Sequence, residues 1–192
     1  MNSMGKIKKP ETILELGEID ISTLKNLVAR TSEQVWNLEN EGKENDFDCF
    51  HHTRHIIFRF IEGMRDHRRF YSNPVWSVWQ DHLLPVLNQA IGQYDFQQPV
   101  YPKVMLARLA AGAVIDRHTD GAGSNLYTHK IHVPLQTNER ARMFINNQAF
   151  HLKEGFAYEV NNLVPHAVEN HGTQDRIHLI FEVFDQTEQV TV

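Results

Sequence analysis

The sequence predicts a mainly β domain, a sandwich or barrel with helices laid over it. From Gln97-Gln98-Pro99 onward, short segments rich in β-branched and aromatic residues alternate with turn signals almost to the end, and many short strands at such spacing form a sandwich or barrel. Before that point apolar residues recur largely at helical spacing, which suits cover for one face of a sheet. No internal repeat or low-complexity segment interrupts the pattern, so a solenoid is not expected.

The 192 residues fit a single domain with one good core. The expected division is a loose tail over 1–10, helical cover and outer strands over 11–98, and the β core over 99–186. Hydrophobic residues at 41% and charged residues at 22% are ordinary for a soluble globular protein. Acids outnumber bases by 24 to 19, a formal charge of −5, which argues against a general nucleic-acid binder. No apolar run is long enough to cross a bilayer, and Met1 to Pro10 is polar, without the apolar stretch of a signal peptide. A cytoplasmic location is expected, in keeping with the lone Cys49, which cannot form an intrachain disulfide.

In chain order, Ile13-Leu14-Glu15-Leu16 reads as a short edge strand. Leu24, Leu27, Val28, Val35 and Leu38 mark one helix over 22–39, with Asp20 or Ser22 as cap. The run 49–61 reads as a strand with His51, Thr53 and His55 on one face and His52, Arg54 and Ile56 on the other. That placement offers His52 or Arg54 for the mouth of a pocket, against the plainer reading of a strand with one wet face. A helix starts at Asn73-Pro74 and is expected to kink or divide at Pro85, with Trp76 and Trp79 packed on a sheet. Strands follow over 103–110, 114–120, 128–136, 142–145, 148–152, 156–160, 166–170 and 176–184, separated by Gly112, Gly121-Ala122-Gly123, Asn146-Asn147 and Gly155. Asn-Asn and the glycines suit turns that need positive φ.

His118-Thr119-Asp120 lies in this β-rich half. Residues i and i+2 of a strand share a face, so His118 and Asp120 can approach one ion together. A histidine from a later strand would complete two nitrogens and one carboxylate, the facial set that leaves half an octahedron open in non-haem Fe(II) oxygenases. With 12 histidines and 24 acids in the chain, a His-x-acid pair is an ordinary coincidence. What adds weight is its position ahead of Pro165-His166 and Arg176. Pro165 restricts Val164 to extended geometry and stiffens the approach to His166. Arg176 opens the last apolar strand, sharing a face with His178 and Ile180 while Ile177, Leu179, Phe181 and Val183 take the other. An arginine buried there needs a partner, and a dicarboxylate fits its planar fork.

Leu106-Ala107-Arg108-Leu109, Gly112, His118-Thr119-Asp120, His132-Val133-Pro134-Leu135, Gly155, Asn161-Asn162, Pro165-His166-Ala167-Val168-Glu169-Asn170 and Arg176-Ile177-His178-Leu179-Ile180-Phe181 together resemble the aspartyl/asparaginyl β-hydroxylase family, whose bacterial relatives include proline hydroxylases. The likeness covers roughly 104–184 and is weaker over 13–100, where the helical cover and the stretch His52-Thr53-Arg54-x-Ile56 carry it. The resemblance implies a double-stranded β-helix (jelly-roll, cupin-like) and an Fe(II)- and 2-oxoglutarate-dependent dioxygenase. It implies iron on His118, Asp120 and His166, the far carboxylate of 2-oxoglutarate on Arg176, and His132 near the cosubstrate. Lys130 falls where some members have a second cationic contact, usually arginine. Animal peptidyl-aspartate hydroxylases have glycine in place of the carboxylate ligand, so Asp120 groups this chain with members that keep the full triad.

The implied reaction consumes O2 and hydroxylates an unactivated C–H of an amino acid, an amino-acid derivative or an Asp/Asn-type side chain, with release of succinate and CO2. A short chain without an added repeat domain favours a small-molecule substrate over a peptide, with Arg54, Arg108, Arg117 and Asn162 as candidates for its polar groups. Two other classes fit the same residues: a cupin-like isomerase or hydrolase using another metal, and a non-catalytic metal or small-molecule binding module.

Overall fold

In the computed structural model, which describes residues 6–44 and 46–189, the second half of the chain steps back and forth between two antiparallel sheets. With strands numbered along the chain, the larger sheet has the order β1 (Ile13–Glu18), β9 (Phe156–Val160), β6 (His129–Gln136), β11 (Arg176–Asp185), β4 (Pro99–Leu109), β2 (Thr53–Ile61) and β3 (Phe70–Ser72). The smaller has the order β5 (Val114–His118), β10 (His166–Asn170), β7 (Ala141–Ile145) and β8 (Gln148–Phe150). From β4 to β11 the chain alternates large, small, large, small, large, small, large, with β7 and β8 as one hairpin in the small sheet. This is the double-stranded β-helix.

Strand alternation decides what each face of the large sheet does. On β11, Ile177, Leu179, Phe181 and Val183 point outward into an apolar cluster with Ile56, Phe58, Val104, Leu106, Ile131 and Val133. Helices α1 (Ser22–Ala29), α2 (Glu33–Asn40) and α3 (Val75–Ala90) close this cluster with Leu24, Val28, Trp36, Trp79, Leu83 and Leu87. Burying each such side chain is worth about 1.5–3 kcal/mol, so this layer is the main hydrophobic core. Trp79 packs on Phe58 with ring centroids 5.4 Å apart, the helix-to-sheet role expected of it. Between the sheets the apolar cluster is smaller, built on Leu109, Ile115, Met143, Ile145, Val160 and Val168.

Several local expectations need correction. The helix expected over 22–39 is two helices, because Ser32 caps α2 by accepting from the Val35 N–H at 3.3 Å and so breaks the run. α1 starts after Ile21, whose side chain caps nothing, and Ser22 is its first residue and not its cap; Asp20 Oδ1 does accept from the Ser22 N–H at 2.9 Å. Pro85 does not divide α3; buried Leu83, Val86 and Leu87 on either side hold the helix on the sheet despite the missing hydrogen bond. The strand expected over 49–61 begins as a 3-10 turn at Asp48–Phe50, and β2 starts at Thr53. β5 stops at His118, two residues short of the expected end, and β3 was not anticipated. Residues 1–5 of the expected loose tail lie outside the described residues. From Lys6 on the segment is irregular but tied down: the Ile7 N–H donates to Leu126 O at 3.0 Å and Lys9 Nζ donates to Thr128 O at 2.6 Å. Asn146 and Asn147 take φ of 48° and 66° in the β7–β8 turn, as that dipeptide predicts. Among the described residues no helix is long and apolar enough to cross a membrane.

Candidate active site

His118 ends β5, His166 begins β10, and the two are direct partners across the antiparallel pair. Their ring centroids are 4.3 Å apart. Each ring is oriented from behind by a backbone carbonyl two residues earlier: His118 Nδ1 lies 2.7 Å from Asp116 O, and His166 Nδ1 lies 2.9 Å from Val164 O. A carbonyl only accepts, so Nδ1 carries the proton and Nε2 presents its lone pair, the tautomer a metal ligand requires.

Asp120 reaches the same point from the loop after β5, not from the strand itself. Its N–H donates to Asn162 O at 3.0 Å, which ties the loop to the approach of β10. Asp120 Oδ1 then stands 3.7 Å from His118 Nε2 and 3.9 Å from His166 Nε2. The three ligand atoms all lie within 4.8 Å of one another.

The other carboxylate oxygen is occupied. Oδ2 accepts from Lys130 Nζ and from Asn162 Nδ2, the latter at 3.0 Å. Burial works against the Asp120 carboxylate, but Lys130, Lys103 and His166 outweigh it and hold its pKa well below the usual carboxylate range. Burial likewise opposes the Lys130 ammonium, and Asp120 and Glu182 more than restore it. Behind this pair, Lys103 on β4, Glu182 on β11 and Lys130 on β6 are successive cross-strand partners. Glu182 Oε1 is 3.6 Å from Lys103 Nζ, and its Oε2 accepts from Thr128 Oγ1 at 2.8 Å. Two lysines thus face two carboxylates in one row.

Arg176 has no such balance. It is 4% exposed, and burial pushes its pKa down to about 9. Its guanidinium meets His178 Nδ1 at 3.0 Å, and among the described residues no carboxylate comes within ion-pair distance. Nearby His132 is buried with neither ring nitrogen hydrogen-bonded, and His178 Nε2 is also unpaired. Burial keeps both imidazoles neutral, with the cations Lys130 and Arg176 adding to the effect on His132. Unsatisfied polar atoms in a buried place call for a polar ligand.

Most of these groups, though not His178 or Glu182, line one cavity of about 490 Å³, within the ordinary span of small-ligand sites. His118, Asp120, His166, Lys130, His132, Arg176 and Asn162 are brought together there. Much of the remaining wall is apolar, with Phe50, Ile115, Met143 and Val168; the rings of Phe50 and His118 meet in a T-shaped contact with centroids 5.2 Å apart.

Three sequence candidates for the substrate's polar groups do not line the cavity. Arg54 and Arg108 are cross-strand partners on the face turned toward α2, where both bind Glu33, at 2.6 and 2.5 Å; Arg108 also binds Asp175. Arg117 bonds Asn147 at 2.5 Å on the surface. Strand parity explains the first two: Thr53 and His55 face the cavity, so Arg54 faces away, and exposed His52 lies in the turn before β2. Lys103 and Arg65 line the cavity and were not anticipated. Lys103 shares parity with Met105 and Ala107 and was detectable on that ground; Arg65 lies in a loop, where periodicity gives no signal.

The model of the family described as "Aspartyl/Asparaginyl beta-hydroxylase" matches residues 24–186. No curated protein matches the chain. Among solved structures, similarity extends to a 2OG-Fe(II) oxygenase family oxidoreductase from Burkholderia pseudomallei (TM-score 0.61, 12% identity, 95% of each chain covered). It also extends to the viral collagen prolyl hydroxylase of Paramecium bursaria Chlorella virus-1, solved as a 2OG complex (TM-score 0.50, 12% identity, 90% of this chain and 96% of that one). A third is the non-heme monooxygenase ThoJ, solved with nickel (TM-score 0.54, 11% identity, 91% of this chain and 74% of that one). At such identities these likenesses speak for the fold; the family match spans most of the sequence and encloses every residue of the site. The chain belongs to the aspartyl/asparaginyl beta-hydroxylase family and is an oxidoreductase of the hydroxylase type.

Proposed function

We propose that this chain is an Fe(II)- and 2-oxoglutarate-dependent hydroxylase whose substrate is an amino acid, an amino-acid derivative or an Asp/Asn-type side chain. The observation that carries the reading is the pairing, in one cavity, of a two-nitrogen, one-carboxylate ligand set with a buried arginine that has no acidic partner. The first fits a divalent metal with open coordination positions. The second fits the far carboxylate of a dicarboxylate, for which a guanidinium is a bidentate donor.

His118, Asp120 and His166 would hold Fe(II). Bound there with 2-oxoglutarate and O2, the metal supplies the oxidising chemistry that inserts one oxygen atom into a substrate C–H and leaves succinate and CO2. The chain's own part is positional. Asp116 O and Val164 O orient the two imidazoles, while Lys130 and Asn162 hold Asp120 so that a single oxygen faces the metal. Arg176 and His132 would hold the cosubstrate at the buried end, Arg176 as donor to a carboxylate and neutral His132 as donor or acceptor. Phe50, Ile115, Met143 and Val168 on the cavity lining bring no hydrogen-bond donor of their own and would help to exclude water from the reacting C–H.

Anaerobic addition of 2-oxoglutarate to Fe(II)-loaded protein should produce a metal-to-ligand charge-transfer band, and screening amino acids and their derivatives in air should then find succinate release. Tight Zn(II) or Mn(II) binding with no 2-oxoglutarate-dependent band or turnover would move the site to another class of metalloenzyme or to a binding module.

A further inference from the structure

We infer that Arg65 binds a carboxylate of the substrate, and that the substrate is a small monocarboxylate whose apolar body carries the reacting C–H. This rests on the hydroxylase reading above and adds to it which chemistry the open end of the cavity selects.

Four cations line the cavity, Arg65, Lys103, Lys130 and Arg176, against one carboxylate, Asp120. Lys130 is committed to Asp120, Lys103 to Glu182, and Arg176 lies at the buried end, where the cosubstrate is assigned. Arg65 is exposed and has no ion pair or hydrogen bond among the described residues. The other arginines of its loop are both paired, Arg68 with Asp66 at 3.2 Å and Arg69 with Glu62 at 3.0 Å. An unpaired arginine facing a cavity, in a segment that pairs its other arginines, is available for an anion.

Its position is built. Gly63 and Met64 both adopt left-handed backbone, with φ of 60° and 55°, an unfavourable choice for methionine that turns the chain toward the cavity. The turn is seated on the loop that follows Asp120. A Cβ on Gly123 would collide with Met64 O and come within 3.6 Å of Arg65 Cα, so glycine is needed for this close approach. Arg65 is therefore held at a set place relative to a metal ligand. Exposed Phe47 and Met64 line the cavity beside it, and apolar residues such as Phe50, Ile115, Met143 and Val168 make up much of the rest of the lining. A carboxylate at the rim and an aliphatic or aromatic body running inward fit this distribution, and one guanidinium matches one carboxylate.

Ni(II)-loaded full-length protein tests this without turnover. Calorimetric titration with isovalerate, 4-methylvalerate, phenylacetate, 3-phenylpropionate and L-leucine, and with the primary amide of each, is run with and without saturating 2-oxoglutarate. With the cosubstrate present, at least one acid should bind more tightly than its amide. Arg65→Gln should weaken that acid by about tenfold, the size of one charge-assisted hydrogen bond, leaving amides and 2-oxoglutarate unchanged. Arg65→Lys should recover part of the loss, and Arg68→Gln, which removes the same charge from the same loop, should have no effect. Equal affinity for acids and amides, no binding by any acid, or an acid preference that survives Arg65→Gln overturns the assignment. If the preference instead disappears in Arg176→Met, the carboxylate belongs at the buried end. Failure of 2-oxoglutarate itself to bind appears in its own isotherm and counts against the hydroxylase reading separately.

Discussion

Lys130 and Asp120 are ten positions apart in the chain, and the ammonium of the first holds one oxygen of the second while the other oxygen faces two histidines. The contact divides the carboxylate between a protein partner and the candidate metal position. Replacing Lys130 with Met removes the cation and leaves a largely buried carboxylate with Asn162 as its remaining side-chain partner. The metal-free variant is expected to lose about 3 kcal/mol, the cost of breaking a buried ion pair from one side. A bound dication should take over the role of counter-ion, so the thermal shift on adding Mn(II) should be larger in the variant than in the parent. Equal stability of the two metal-free proteins in urea would show that the pair does not hold the site. Asn162→Ala changes no charge and should lower Mn(II) affinity by about tenfold, as loss of a ligand's hydrogen-bond partner does.

Arg176 presents the opposite case, a buried cation without an acid. Arg176→Met keeps most of the volume and removes the charge, so the metal-free protein should be as stable as the parent or more so. Affinity for 2-oxoglutarate should fall by about 100-fold, while metal affinity stays as it was. Calorimetry on the Mn(II)-loaded protein gives the first, and urea unfolding the second. An unchanged isotherm for 2-oxoglutarate would remove Arg176 from the cosubstrate site.

Four of the five buried histidines, His55, His132, His166 and His178, give the metal-free protein a predictable acid sensitivity. Burial, with nearby lysines, lowers His55 to about 3; burial, with Lys130 and His118 and against Asp120, lowers His166 to about 4. His132 and His178 are also pushed well down, chiefly by burial. In the unfolded chain all four take a proton below about 6.5. The unfolded state then binds more protons than the folded one, so stability is complete above that value and falls as the pH drops toward 4. Each group contributes on the order of 1 kcal/mol per pH unit across this window. Urea midpoints measured from pH 7 to 4.5 should fall steadily, and less steeply in His178→Gln. A flat profile over this range would contradict the neutral burial of these rings.

Gly123 couples the turn at Met64 to the loop that carries Asp120. Gly123→Ala puts a methyl group against the Met64 carbonyl, a backbone atom that cannot rotate away. Destabilisation of about 1–3 kcal/mol is expected, in the range of overpacked sites. Because the shifted segment adjoins Asp120, a proposed ligand, Mn(II) affinity should fall as well; Gly121→Ala, with open space around its added carbon, serves as the comparison. Matching affinities in the two variants would separate the loop contact from the metal site.

How much of this could be read before the structure depends on whether the signal is local. Strand alternation in 176–184 assigned Arg176, His178 and Ile180 to one face, because side-chain direction along a strand has a period of two whatever the strand packs against. His132 and Lys130 came instead from the family resemblance, and parity would have excluded Arg54 had the cavity-facing side of β2 been known. The β-rich run from 99 onward and its turns at Asn146-Asn147 and Gly155 were legible because turn chemistry is local too. The break between α1 and α2 was missed because one serine cap outweighed a pattern that continued through it.

The sequence by itself determined the inventory and the order: a β-rich half, a His-x-Asp pair ahead of Pro-His and arginine, and the family that order resembles. Tertiary structure alone decided that His118 and His166 stand opposite each other in register, and that Asp120 arrives from a loop tied to Asn162. It also decided that Lys130 is spent on Asp120 while Arg176 and Arg65 are left without acids. The physical reason is that the chemical type and periodicity of a side chain are properties of the chain, whereas a charge's partner depends on which strands and loops the fold brings within a few ångströms of it.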